Sequence, residues 1–206
     1  MAKVLFIKGT PQDENKSRSM KVARVFLDEY KKANPTDEVV ELDIYKMDIP
    51  FIDAEVLDGW GKLRTGADLP VIVLQKIGAI NELTTQFMNA DKYIIQSSMW
   101  NLGIPPMLKA YIDTVAVPGV TFKYTEDGHL GLLEGKKAIH IHGSGGVYSN
   151  TTGIEHTDSY IKGILNLMGV ECAPTVFVEG VDHFPMKKEE IIEAAIENAK
   201  EAARAF

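Results

Sequence analysis

Cysteine is nearly absent: Cys172 is the only one among 206 residues. An intrachain disulfide is therefore excluded, and no cysteine cluster exists to hold zinc or an iron–sulfur centre. A reducing cytoplasm is the expected location. Positive charge is in deficit, with 22 Lys and Arg against 29 Asp and Glu, a formal net charge of −7. Such a field disfavours nucleic acid and anionic membrane surfaces, so neither is expected as a partner. No apolar run approaches the ~20 residues of a membrane span. The N-terminal MAKVLFIKGT is too brief for a signal peptide and reads as a first strand. Two nucleotide motifs are also missing. Without GxxxxGKS/T a nucleoside triphosphate is not expected, and without GxGxxG neither is a Rossmann dinucleotide site.

What is present is an ordinary soluble balance, 45% apolar and 25% charged, in a chain long enough to bury a real core. Strands are expected at Lys3–Lys8, Glu38–Asp43, Lys92–Gln96, Lys137–His142 and Pro174–Glu179. Helices are expected from about Ser19 to Ala33, Ile72 to Asn89, Pro106 to Val115, Ser159 to Met168 and Lys188 to Phe206. Ser19 is a plausible first N-cap. Ile44–Pro70 reads as a long irregular stretch. The turn sequence Glu126-Asp127-Gly128-His129 between two apolar runs reads as a hairpin-like excursion. No repeat or linker divides the chain, so residues 1–206 are expected to form a single domain with excursions near 44–70 and 118–135. Alternating strands and helices, with near-continuous apolar strands, imply an α/β fold. The expected form is a doubly wound five-stranded parallel sheet of order 2-1-3-4-5 with helices on both faces.

In that order, the loops after strands one, three and four converge on one crevice at the carboxyl ends of the strands. The first loop supplies hydroxyls from Thr10, Ser17 and Ser19 at a helix start, where free N–H groups hold phosphate, with Lys16 and Arg18 adding charge. Either serine also serves as a plain helix cap. The second loop, Ser97–Gly103, offers backbone donors, Trp100 and the Asn101 amide, a set suited to the edge of a flat heteroaromatic ring. The third, Gly143-Ser144-Gly145-Gly146, has little side chain to block such a ring, and its N–H groups form a concavity for anionic oxygens. His140 and His142 lie two apart on one strand face. Without neighbouring carboxylates or cysteines in the sequence they argue weakly for metal, and none is expected. Asp and Glu show no clear acid/base pair. A crevice with a phosphate end, a ring end and no proton-transfer machinery suits a bound cofactor that does its own redox chemistry. FMN has one phosphate, a polar chain and a flat ring.

At this point the chain resembles, over nearly its whole length, the FMN-dependent NADH-azoreductases, also described as FMN-dependent NADH:quinone oxidoreductases. The resemblance is carried by Met99-Trp100-Asn101-Leu102, Leu108-Lys-Ala-Tyr-Ile-Asp, Gly119-Val-Thr-Phe-Lys-Tyr-Thr-Glu-Asp-Gly, Gly145-Gly146 and Trp60-Gly61-Lys62-Leu63-Arg64. It implies a flavodoxin-like, cytoplasmic homodimer with two FMN sites at the interface. NADH is the implied donor, and quinones and azo compounds the small-molecule acceptors in a two-electron ping-pong cycle. By this resemblance Ser17, Arg18 and Ser19 correspond to the phosphate turn. Met99, Trp100, Asn101 and Leu102 wrap the ring edge, Gly145 and Gly146 meet the pyrimidine end, and Tyr124 lies near the ring. Arg64, Tyr124 and Leu167 are the expected substrate-pocket residues, with no catalytic side chain. Gly9 and Gly143 stand where some members carry serine, and Leu102 and Leu167 where relatives carry aromatics. The alternatives are a flavodoxin-like electron carrier and an FAD-using quinone reductase of related fold.

Overall fold

The computed structural model describes residues 1–149 and 154–206. Its main sheet runs β2 (Glu38–Asp43), β1 (Lys3–Gly9), β3 (Lys92–Ser98) and β6 (Lys137–Gly143), and every pairing is parallel. The fifth position is not the single strand expected over 174–179. It is two short pieces, β7 (Glu171–Cys172) beside the start of β6 and β8 (Val176–Val178) beside its end. Pro174 falls between them, and a residue without an N–H cannot continue the ladder.

Side chains alternate across the sheet and seed two cores. Val4, Phe6, Ile94, Ile139 and Ile141 pack against α1 (Arg18–Ala33) and α6 (Lys188–Ala205). Leu5, Ile7, Tyr93, Ile95 and Ala138 pack against α4 (Pro106–Val115) and α5 (Thr157–Leu167), with the end of α3 (Val71–Met88). Each fully buried Phe, Leu or Ile contributes roughly 1.5–3 kcal/mol over exposure, so helices on both faces are what this alternation stabilises. In α1 the buried positions Met20, Ala23, Phe26, Leu27 and Tyr30 recur at helical spacing. Its N-cap is Ser17, whose hydroxyl accepts from the Met20 N–H at 3.3 Å, rather than Ser19.

The stretch 44–70 is not wholly irregular, because it holds α2 (Ala54–Arg64), capped by Asp53 accepting from the Val56 N–H at 2.9 Å. Gly59 and Gly61 read as breakers and concealed it. After α4 the chain has returned to the amino ends of the strands. There β4 (Phe122–Thr125) and β5 (Gly128–Gly131) form the antiparallel hairpin. It rests on the turn that ends α5, where the Leu133 N–H donates to the Met168 carbonyl at 2.9 Å. Among the described residues no helix is long and apolar enough to cross a membrane.

Candidate active site

β1, β3 and β6 are neighbours, so the loops leaving their carboxyl ends meet. Between them lies a cleft of about 250 Å³. One wall is Ser17, Arg18 and Ser19 at the start of α1, with Gln12 and Lys16 from the loop before it. The other is Gly143, Ser144 and Gly145, with Val178, and Ser98 and Met99 form the floor between the walls. The first intrahelical bond of α1 is Lys21 N–H to the Ser17 carbonyl, so the N–H groups of Arg18 and Ser19 have no backbone partner among the described residues at the cleft. The glycine loop is arranged in the same way. Its carbonyls are engaged, Gly145 O by the N–H groups of Asp182 and His183 and Gly146 O by that of Gly180, while the N–H groups of Gly145 and Gly146 make no hydrogen bond among the described residues.

Beneath the cleft a polar network fixes the α1 wall. The Ser19 hydroxyl accepts from Gln96 Nε2 at 3.0 Å and bonds the hydroxyls of Ser98 at 3.1 Å and Ser17 at 3.3 Å. Gln96 and Ser98 alternate on the α1 face of β3, so strand period places both under the helix start. This packing explains Gly143. A Cβ there would lie 2.6 Å from the Ser19 Cβ and 2.7 Å from its hydroxyl, so a side chain at 143 would crowd Ser19.

Seven of the expected cofactor residues, Ser17, Arg18, Ser19, Met99, Gly143, Ser144 and Gly145, line this one cleft. Gly146 adjoins it in the same loop. Thr10 is buried at the start of the first loop and its hydroxyl accepts weakly from the Gln12 N–H at 3.4 Å. Trp100, Asn101 and Leu102 form a tight turn beside the cleft, closed by reciprocal bonds between Trp100 and Gly103 at 2.9 and 3.0 Å. Asn101 and Leu102 both have positive φ, 50° and 66°, the conformation of a hairpin turn of type I′. A leucine there is strained, and the turn is held by the His156 N–H on the Leu102 carbonyl at 3.1 Å. Trp100 rests on Tyr45, centroid to centroid 6.3 Å.

The expected substrate-pocket residues lie elsewhere in this chain. Arg64 ends α2 and lines a separate groove of about 450 Å³ with Trp60, Leu63 and Pro118. Tyr124 is exposed on the hairpin, and Leu167 is packed at the far end of α5. Sequence reasoning missed Gln12, Gln96, Ser98 and Asp182. Ser98 and Gln96 were within reach of period-2 counting, whereas Asp182, 2.6 Å from Arg18 across the cleft mouth, had no local signal.

The structure also corrects the view that no carboxylate accompanies the histidines. His140 Nδ1 lies 2.8 Å from Asp158 Oδ1, and its Nε2 lies 2.9 Å from the Ser97 hydroxyl. Burial would raise the Asp158 carboxyl, but hydrogen bonds from His140 and Thr175 outweigh it and hold it well below the usual range. Burial lowers His140 despite that carboxylate, so the ring is neutral, donates from Nδ1 and accepts from Ser97. This Ser–His–Asp order is that of a hydrolase triad. Ser97 is fully buried and His140 nearly so, so no acyl group reaches the hydroxyl. No group of three or more metal-ligating side chains occurs among the described residues.

A family model described as a flavodoxin-like fold matches residues 2–203. An FMN-dependent NADH:quinone oxidoreductase 2 of Listeria innocua is 47% identical over 211 residues, the whole of both chains. An azoreductase structure from Bacillus anthracis superposes with a TM-score of 0.93 at 37% identity over all of both chains. An FMN-dependent NADH-azoreductase from the same species, solved in complex with FMN, does so at 0.92 with 32% identity over 98% of each.

Proposed function

The chain belongs to the flavodoxin-like family of FMN-dependent NADH:quinone oxidoreductases and azoreductases, and from that premise we propose that it uses NADH to reduce quinones and azo compounds through bound FMN. The observation that carries the reading is the pairing, among the described residues, of two sets of N–H donors without backbone partners, at Arg18–Ser19 on one wall of the cleft and at Gly145, with the adjoining Gly146, on the other. The first set, with the Ser17 hydroxyl, would hold the phosphate. The second would meet the ring, where preorganised donors favour a negative charge. FMN held there, its phosphate at Ser17, Arg18 and Ser19 and its ring at Gly145 and Gly146, would supply the two-electron redox chemistry. The chain's part is to bind and orient. Among the described residues no carboxylate or imidazole lines the cleft walls, and Asp182 at its mouth is engaged by Arg18, so protons are supplied by water. Met99, and beside it Trp100, Asn101 and Leu102, form the ring-edge wall.

In this reading the protein acts as a cytoplasmic homodimer. The support is an exposed apolar face on α2 and the start of α3, with Leu57, Leu63, Val71, Ile72 and Leu74, beside Phe51. An apolar surface of that kind marks an interface. The test is NADH oxidation with menadione, with the released flavin identified after denaturation. Steady turnover and released FMN are expected. A protein without flavin that takes up none would refute the proposal. Sedimentation at falling concentration tests the dimer, and a monomer with full turnover would remove it.

A further inference from the structure

Among the described residues one ion pair, Arg18 with Asp182, crosses the cleft mouth. Arg18, the first residue of α1, places its guanidinium 2.6 Å from the Asp182 carboxylate in the loop after β8. That loop is bonded to the glycine loop, with the N–H groups of Asp182 and His183 both on the Gly145 carbonyl. The carboxylate stands so close over the cleft wall that a Cβ on Gly145 would lie 2.5 Å from Asp182 Oδ2. Asp182 thus spans the two walls, its loop on Gly145 at the ring end and its carboxylate on Arg18 at the end assigned to phosphate.

The charges around that end decide what it tolerates. Lys16 and Arg18 are the cations lining the cleft, and Asp182 offsets one of them, which leaves one net positive charge. A phosphate monoester carries roughly −1.5 to −2 at neutral pH. One phosphate already exceeds the side-chain charge available, and the free N–H groups of the helix start take up the rest. A second phosphate leaving through the mouth would face Asp182 with its cation already engaged.

We propose that the Arg18–Asp182 pair is a charge filter at the cleft mouth that admits a flavin mononucleotide and rejects a flavin carrying a diphosphate. The inference rests on the flavin reading above and adds the residue that sets cofactor choice. Both partners are partly exposed, at 39% and 63% of their side chains. The filter therefore acts by charge rather than by blocking space, and it weakens as salt screens it.

The test is fluorescence titration of the flavin-stripped full-length chain with FMN, FAD and riboflavin, for the natural protein and for Asp182→Asn and Asp182→Lys. Circular dichroism checks that each variant is folded. The natural protein should bind FMN at least 100-fold more tightly than FAD. Asp182→Asn should narrow that ratio about tenfold and Asp182→Lys further, with riboflavin unchanged and the narrowing reduced at 0.5 M salt. Equal tightening of FMN and FAD would mean the carboxylate only competes for Arg18, and equal weakening that it only holds Arg18 in place. Either result overturns the filter. FAD bound as tightly as FMN by the natural protein would overturn it while leaving the flavin reading intact. Binding of no flavin would overturn both.

Discussion

Two polar networks hang from the end of β3 on opposite faces of the sheet. On the α1 face, Gln96 and Ser98 bond the Ser19 hydroxyl, and their network opens into the cleft through Ser17. On the α5 face, Ser97 bonds His140, which bonds Asp158, and that chain is sealed at its serine and imidazole, with only the carboxylate end partly exposed. Judged by residue types alone, the Ser97–His140–Asp158 chain is the better match to a catalytic centre. Access decides otherwise. The sealed chain can only stabilise, because nothing reaches its hydroxyl, while the open one meets whatever enters the cleft. The same strand supplies both, since successive side chains point to opposite faces.

The comparison breaks most visibly at Asp158. Its carboxylate accepts from His140, Thr175 and Lys162. Asp158→Ala should cost about 3 kcal/mol, because it leaves buried donors unpaired, with flavin affinity within about twofold. Urea denaturation at pH 7 with an unchanged slope measures it. A loss of flavin binding without a loss of stability would transfer the sealed chain to the active site.

A similar effect is expected from pH. His142 is buried with neither ring nitrogen hydrogen-bonded among the described residues, and burial pushes it down to about 4. Between pH 6.5 and 4 the unfolded chain takes up a proton there that the folded chain refuses, so stability falls as pH drops through that window. His140, also lowered by burial, adds to the fall in the same direction. Asp158 acts lower: its contribution is complete above the ordinary carboxylate range and is lost below it. At about 1.4 kcal/mol per unit, the His142 part amounts to about 3 kcal/mol. Replacing it, as in His142→Gln, should flatten the dependence by that amount. A variant whose stability falls as steeply as before would contradict the burial account.

The smallest effect sharpens the contrast. Ser97→Ala removes one hydroxyl from the sealed chain and should cost about 1 kcal/mol, again with flavin affinity unchanged. A mutation one residue away on the other face, Gln96→Ala, should disturb the floor of the cleft and weaken flavin binding. Equal behaviour of the two would erase the distinction between the faces.

Much of this arrangement was legible in the residues. Near-continuous apolar runs located β1, β2, β3 and β6 to within about two residues of their ends, and the Pro-Pro entry and helical spacing placed α4 at 106–115. The converging loops followed from topology and brought seven expected cofactor residues to one cleft. What escaped depended on long-range partners. α2 was hidden because Gly59 and Gly61 read as breakers, although its burial against α3 stabilises it. The fifth strand was divided by a proline whose effect depends on its neighbours in the sheet. Asp158 lies 18 residues from His140, and Asp182 lies 164 residues from Arg18, so neither partner showed in any local pattern.

The central claim, that Ser17 stands at a phosphate site rather than serving only as a helix cap, is tested most directly by Ser17→Asp. Aspartate is as good an N-cap as serine and suits the helix dipole, so α1 and overall stability should be retained. A carboxylate at that point repels phosphate. Titration of the flavin-stripped variant should show FMN affinity reduced at least 100-fold and riboflavin affinity changed by less than about twofold. Equal losses for the two flavins, or none for either, would contradict the account.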